Sequence, residues 1–422
     1  MKATIIPLNL SSQKPQRSRW LDRLARTGLI ARLNNLQHGS LTLVDGKQRF
    51  DFGDSDSSIK VTITVKHPEF YSDIAFGGSV GAGESYMRGN WSCSDLTKLV
   101  RLFLINREVL DGMDDSLSRI RAPLYRAFHW LNRNTRKGSR QNIQAHYDLG
   151  NDFFKLFLDE SMMYSCAIYD DYDTSLAQAS FAKLDRICRK LQLRPDDHVL
   201  EIGTGWGGFA IHAASHYGCK VTTTTLSREQ YDYAREKIQK LGLEDRIELL
   251  LRDYRDLDGQ YDKLVSIEMI EAIGHQYQDT YFSKCSELLK PEGMMLLQAI
   301  TIADQRYNEA LRSVDFIQRY IFPGSFIPAI SSMAQSIARA SDMKISHLED
   351  IGPHYARTLA DWRRRFFINL KQVRELGYPD SFIRMWEFYL CYCEGGFEER
   401  AIGDVQILLS KPDSRRPSVL GR

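Results

Sequence analysis

The string His198–Ala210, HVLEIGTGWGGFA, constrains this chain more than any other part of it. A short apolar strand pattern runs into a glycine-rich turn, and the turn into the helical pattern FAIHAASHY. That order is the first crossover of a nucleotide-binding sheet. Lacking side chains, Gly203 and Gly205 let the backbone turn tightly and approach a ligand. Gly203, Gly205 and Gly208 also satisfy the dinucleotide fingerprint, so the string alone does not name the cofactor. A dehydrogenase should carry an acid about 20 residues further on for the ribose hydroxyls. The corresponding stretch, Val221–Ser227, has none. Glu201, just before the loop, better suits a cofactor bearing an ammonium, such as the methionine part of S-adenosylmethionine. A glycine turn with no cofactor is the blander alternative, and a strand, loop and helix all in place weigh against it.

Around this loop, strands and helices alternate from residue 178 to 300. A helix over 178–191 is followed by the strand DHVLEIG, then strands KVTTTTL, RIELLLRD, KLVSIEM and MMLLQAI with helices between them. The alternation predicts an α/β fold with a doubly wound, mainly parallel sheet. Residues 303–400 read as further helices rich in aromatics, and VQILLSK at 405–411 as a returning strand. Upstream, residues 1–115 read as a smaller α+β domain. Helix 18–36 is basic and amphipathic, and suits either a membrane surface or docking on its own domain. The alternating runs SLTLVD, QRFDF and IKVTITV predict a small antiparallel sheet, and 94–112 a helix. The domains expected are 1–115, a basic linker at 116–140, a catalytic domain at 141–411 and a tail at 412–422.

The net charge of +2 conceals two basic blocks. Residues 1–36 carry seven Lys/Arg against the single acid Asp22, and residues 116–140 carry seven with no acid. Such blocks suit an anionic partner, nucleic acid or anionic lipid, or are plain solvated surface. At 43% hydrophobic residues the chain is not disordered throughout, and no apolar stretch is long enough to span a bilayer. The start, MKATIIPLNLSS, does not read as a secretory signal. Seven scattered cysteines without paired spacing predict free thiols in a reducing compartment, the cytoplasm, with neither disulfides nor a metal site.

The motif Gly-x-Gly-Trp-Gly-Gly, followed by Thr225-Leu226-Ser227 and Gln230, resembles the cyclopropane-fatty-acyl-phospholipid synthases and the related mycolic acid cyclopropane synthases. NIQAHYDLGNDFFKLFLDESMMYSCAIY upstream is similar to their segment before the methyltransferase core. LVSIEMIEAIG, RYIFPGSFIP, IGPHYARTLADWRRRF and CEGGFEERAIGDVQ follow in the same order. The resemblance covers about residues 75–411 and implies a sheet of the S-adenosylmethionine-dependent methyltransferase type, with the post-300 helices forming an acyl-binding insertion. It implies transfer of a methyl to the cis double bond of an acyl chain in a phospholipid, through a carbocation deprotonated by a bound bicarbonate. Partners then expected are an unsaturated phospholipid in an anionic membrane surface and a second copy of the chain in a homodimer, with no nucleic acid. The location expected is the cytoplasm, peripheral to the inner face of the membrane.

By the same resemblance, the cofactor contacts fall on Tyr164, Ser165, Gly203, Gly205, Thr225, Leu226 and Gln230 beside Glu201, with Tyr254 and Arg255 flanking the adenine. The base site would comprise Cys166, through backbone or side chain, with Glu271, Ile300 and Tyr355. Taken singly, Cys166 is more often a small core residue and Tyr355 a packed aromatic. Glu271 sits where ligands bind, at the C-terminal edge of the sheet. One position departs: where such synthases carry a histidine two residues before Ile300, this chain has Gln298. An amide donates to an anion but carries no charge and shuttles no proton. A methyl- or methylene-branched product therefore stands beside the cyclopropane ring. A small-molecule methyltransferase would need no N-terminal module. A nucleic-acid methyltransferase would use the basic blocks, but no nucleic-acid module is recognisable. A lipid-binding protein without catalysis would not need the cofactor loop.

Overall fold

A computed structural model of the chain describes residues 19–107 and 149–415. Two sheets organise it. The N-terminal sheet has the order β2-β1-β3-β4, with β1 at Ser40–Asp45, β2 at Gln48–Gly53, β3 at Lys60–Val65 and β4 at Trp91–Cys93. It is mixed, which corrects the expectation of an antiparallel sheet. β1 and β2 form a hairpin, but β3 lies on the other side of β1 and runs parallel to it. The parallel register sets Leu41 beside Val61 and Leu43 beside Ile63, so the apolar residues of both strands share one buried face.

The larger sheet has the order β10-β11-β9-β8-β5-β6-β7. Its strands are β5 (His198–Ile202), β6 (Lys220–Thr224), β7 (Ile247–Leu250), β8 (Tyr261–Ile267), β9 (Leu289–Ile302), β10 (Lys344–Asp350) and β11 (Ile402–Ser410). β5 to β9 pair in parallel, and β11 inserts antiparallel between β9 and β10. This is the expected α/β fold, and VQILLSK returns as expected within β11. The central strands are apolar on both faces because helices cover both. Leu184, Ile187 and Leu191 of helix Leu176–Leu191 pack with Val199, Phe209 and Val221 on one side. Leu200, Leu264 and Met295 pack with Tyr281 and Phe282 on the other. β10 falls within the segment read as helical. Its sequence, KISHLED, is polar and mostly exposed, and only pairing along β11 makes it a strand.

Helix Arg19–Leu33 docks on its own domain through Ala25, Leu29 and Leu33, while Trp20 (58% exposed) and Leu24 (61%) face solvent. The N-terminal elements share one apolar core with the helices after residue 303. Tyr86 donates to Glu387 (2.7 Å), Tyr320 to Glu84 (2.6 Å), and Arg101 pairs with Glu399 at 2.6 Å. The rings of Tyr86 and Phe316 pack on Phe388. The basic segment 116–140 lies outside the described residues.

Candidate active site

A cavity of about 790 Å³ opens at the C-terminal ends of the central strands. Glu201, Gly203, Gly205, Thr225, Leu226, Gln230 and Tyr254 line its polar end, and Tyr164 and Ser165 line the same cavity. The cavity continues between the domains to an apolar end lined by Leu29, Leu33, Leu41, Ile63 and Phe70. Both ends belong to one space, so a polar cofactor and an apolar chain can meet in it.

The glycine loop is held by its backbone. The amides of Gly203 and Thr204 both donate to the Thr224 carbonyl, at 3.1 and 3.0 Å. Gly203 has φ +103°, which only glycine adopts without strain. A Cβ there would lie 3.2 Å from Cγ of Met269, so the side chain of Met269, rather than ligand space, is what it would meet. Thr225 donates to Gln230 (2.8 Å), and Ser227 caps helix Arg228–Lys240 by accepting from the Gln230 amide. Tyr254 lines the cavity edge-on to Tyr281. The Arg255 guanidinium is held by Asp253 at 2.9 and 2.6 Å, and it is Arg252 that joins the lining.

Glu201 is 2% exposed and accepts from Thr223 at 2.6 Å. Burial pushes its carboxyl up to about 8, with the Thr223 bond opposing. A buried acid at the polar end, beside a positive-φ glycine turn, fits a ligand with an ammonium. Such a ligand favours the carboxylate, so binding below about pH 8 must expel a proton. Affinity for S-adenosylmethionine is therefore expected to rise from pH 6 to 8. The calorimetric enthalpy at pH 7 should vary with the buffer's ionisation enthalpy, and Glu201→Gln should remove that variation. A buffer-independent enthalpy in the unaltered enzyme would refute the assignment.

The second polar centre lies where β8 and β9 end. Tyr355 donates to Oε2 of Glu268 (2.6 Å), and the Cys166 amide and the Gln298 side-chain amide both donate to Oε1 (2.8 Å each). Gln298 also donates to Asp404 (3.0 Å) and accepts from Gln406 (3.1 Å). Glu271 accepts from the Ile300 amide at 2.6 Å, and its Oε2 is buried without a hydrogen-bond partner. Glu268, Glu271, Ile300 and Tyr355 line the cavity. Cys166 is buried with its thiol turned to the carbonyls of Ala167 and Ile351, so it serves through its backbone. Of the residues expected at the base site, Cys166, Gln298 and Tyr355 converge on Glu268, which was not among them, while Ile300 donates to Glu271. The groups expected to hold a bicarbonate through Cys166, Gln298 and Tyr355 already donate to Glu268. The residues present therefore do not fit that ion.

Burial raises the Glu268 carboxyl, opposed by the Tyr355 and Cys166 bonds and by Lys183. Burial pushes Glu271 up to about 8, and the neighbouring Glu268 adds to it. Aromatic rings surround this centre. Tyr164 and Tyr389 share a hydroxyl hydrogen bond (2.9 Å), Tyr164 packs on Trp362 and Phe322, and Tyr355 stacks on Phe397.

Residues 134–407 match the family described as mycolic acid cyclopropane synthetase. The chain is 38% identical to the cyclopropane-fatty-acyl-phospholipid synthase of Escherichia coli over 360 residues, which is 84% of this chain and 89% of that one. It is 40% identical to a tuberculostearic acid methyltransferase of Mycobacterium tuberculosis over 338 residues, 76% of each. Among solved structures, a mycolic acid cyclopropane synthase complexed with SAH and CTAB superposes with a TM-score of 0.60 at 32% identity, covering 64% of this chain and 98% of that one.

Proposed function

Since the chain belongs to the mycolic acid cyclopropane synthetase family and is an S-adenosylmethionine-dependent methyltransferase, we propose that it converts the cis double bond of an unsaturated acyl chain, carried by a membrane phospholipid, into a cyclopropane ring. The observation that carries this reading is the single cavity joining the glycine loop to the apolar end at Leu29, Leu41 and Ile63. S-adenosylmethionine supplies an electrophilic methyl when bound at the polar end. An alkene is a weak nucleophile, so the chain's part is to hold the double bond in line with that methyl and to exclude water. Tyr164, Phe322 and Tyr389 line the cavity, and aromatic rings can stabilise a carbocation developing there. A carboxylate next to them can accept the proton whose loss closes the ring.

A second product is favoured by one observation. The relative of highest identity given above is named as a methyltransferase rather than a cyclopropane synthase, and a branched acyl chain is the corresponding alternative. Incubation with labelled S-adenosylmethionine and unsaturated phospholipid vesicles, RNA or small acceptors tests the substrate class. Label is expected in the lipid alone.

Membrane association is part of the reading. The exposed Trp20 and Leu24 lie one helical turn apart on a helix carrying Arg23 and Arg32, and the block at 116–140 adds charge of the same sign. Among the described residues no helix is long and apolar enough to cross a membrane. Sedimentation with vesicles is expected to be stronger on anionic than on zwitterionic lipid, to weaken with salt, and to fall on joint Trp20→Ser and Leu24→Ser replacement. Equal sedimentation with both vesicle types would reduce the basic blocks to solvated surface.

A further inference from the structure

We propose that Glu268 is the catalytic base, a carboxylate of the chain itself standing where a bound anion would otherwise take the proton. The proposal rests on the cyclopropanation reading above. Three donors from three separate parts of the chain, the Cys166 amide, the Gln298 side chain and the Tyr355 hydroxyl, point at this one carboxylate. Together they form an anion hole, and the chain fills it with its own side chain. The backbone at Glu268 has φ +47°, a left-handed conformation that a non-glycine residue rarely adopts. A strained residue at the floor of a reactive cavity is held there by its surroundings, here the three donors and the Glu268 amide bonded to the Gln298 carbonyl at 2.8 Å.

Two carboxylates line this part of the cavity, and their surroundings separate their roles. Glu268 receives three hydrogen bonds, two on Oε1 and one on Oε2, which together with the buried Lys183 oppose the rise that burial imposes on its carboxyl. Glu271 receives one backbone amide outside its own residue, beside the charge of Glu268, and stays protonated near neutral pH. With donors facing both of its oxygens, Glu268 is the better placed of the two to accept a proton.

The step balances without a further reagent. The π electrons of the alkene form a bond to the methyl carbon, and the sulfur–carbon bond breaks with its pair remaining on sulfur. The other alkene carbon is left cationic. A C–H bond of the transferred methyl then breaks. Its electron pair closes the second carbon–carbon bond of the ring, and the proton passes to Glu268. Bulk solvent takes that proton after product leaves.

The test uses the full-length enzyme with S-adenosylmethionine and unsaturated phospholipid vesicles, in buffer stripped of carbon dioxide and in the same buffer with bicarbonate added. The unaltered enzyme is expected to form rings at the same rate in both. Glu268→Gln should lower the rate by about 100-fold or more while binding S-adenosylmethionine normally by calorimetry. Glu268→Gly relieves the positive φ and opens the anion hole, so it should fold, be inactive in stripped buffer, and regain about 10-fold or more with bicarbonate. An unaltered enzyme that stops in stripped buffer and recovers with bicarbonate would overturn the proposal, whatever the variants do. So would a Glu268→Gln enzyme of ordinary rate. An enzyme that makes no ring from any unsaturated phospholipid would remove the cyclopropanation reading, and the base with it.

Discussion

Valine in place of Gly203 is expected to cost about 2–4 kcal/mol of S-adenosylmethionine binding, on the order of 100-fold in affinity, with the fold retained. Two effects add. A β-branched residue is forced to φ +103°, and its Cβ begins 3.2 Å from Cγ of Met269. The loop cannot yield without breaking the paired bonds from Gly203 and Thr204 to the Thr224 carbonyl. Relief must therefore come from moving Met269, which neighbours Glu268, or from shifting the loop off its ligand. Gly205→Ala offers a graded comparison. Its φ is +53° but nothing lies within 4 Å of the added Cβ, so a loss of about 10-fold or less is expected. Calorimetry for affinity and circular dichroism for fold decide it. Unchanged affinity in Gly203→Val would show that the loop does not meet the cofactor.

Histidine in place of Gln298 is expected to slow ring formation by roughly 10–100-fold without changing the product. Gln298 is fully buried, donates to both Glu268 and Asp404, and accepts from Gln406. An imidazole has two ring nitrogens for these three partners, so one buried group loses its bond, worth about 1–3 kcal/mol. The amide does not need to shuttle a proton, because Glu268 is placed to receive it. Mass spectrometry of lipids from a host expressing each form reads the outcome. Branched chains from the unaltered enzyme, with rings only in the histidine variant, would show that proton removal depends on the histidine this chain lacks.

The parts of this protein that are written locally could be read from its sequence. The glycine loop, its flanking strand and helix, and the returning strand at 402–410 depend on short-range pattern and on turn chemistry. The gathering of Glu201, Gly203, Thr225 and Gln230 around one cavity follows from that topology, because parallel strands all end on the same side. β10 was hidden, since an exposed edge strand of polar residues gains its identity only from β11. The parallel pairing of β1 and β3 was hidden for the same reason: strand pattern does not say which neighbour is chosen. Glu268 is the instructive miss. LVSIEMIEAIG carries two glutamates three residues apart at the end of β8, and the resemblance directed attention to the second. The signal available was Gln298 itself. A residue that departs from the family's pattern invites a search for what it now contacts, and here that is the Glu268 carboxylate 2.8 Å from its amide.

The most direct test of the account is the structure of the lipid made by the purified enzyme from S-adenosylmethionine and a phospholipid with one cis double bond. The expected product is an acyl chain heavier by one CH2, with the proton resonances of a cyclopropane ring and no olefinic signal. A chain heavier by CH2 and two further hydrogens, carrying a methyl branch, or one that keeps an olefinic signal beside the added carbon, would contradict ring formation.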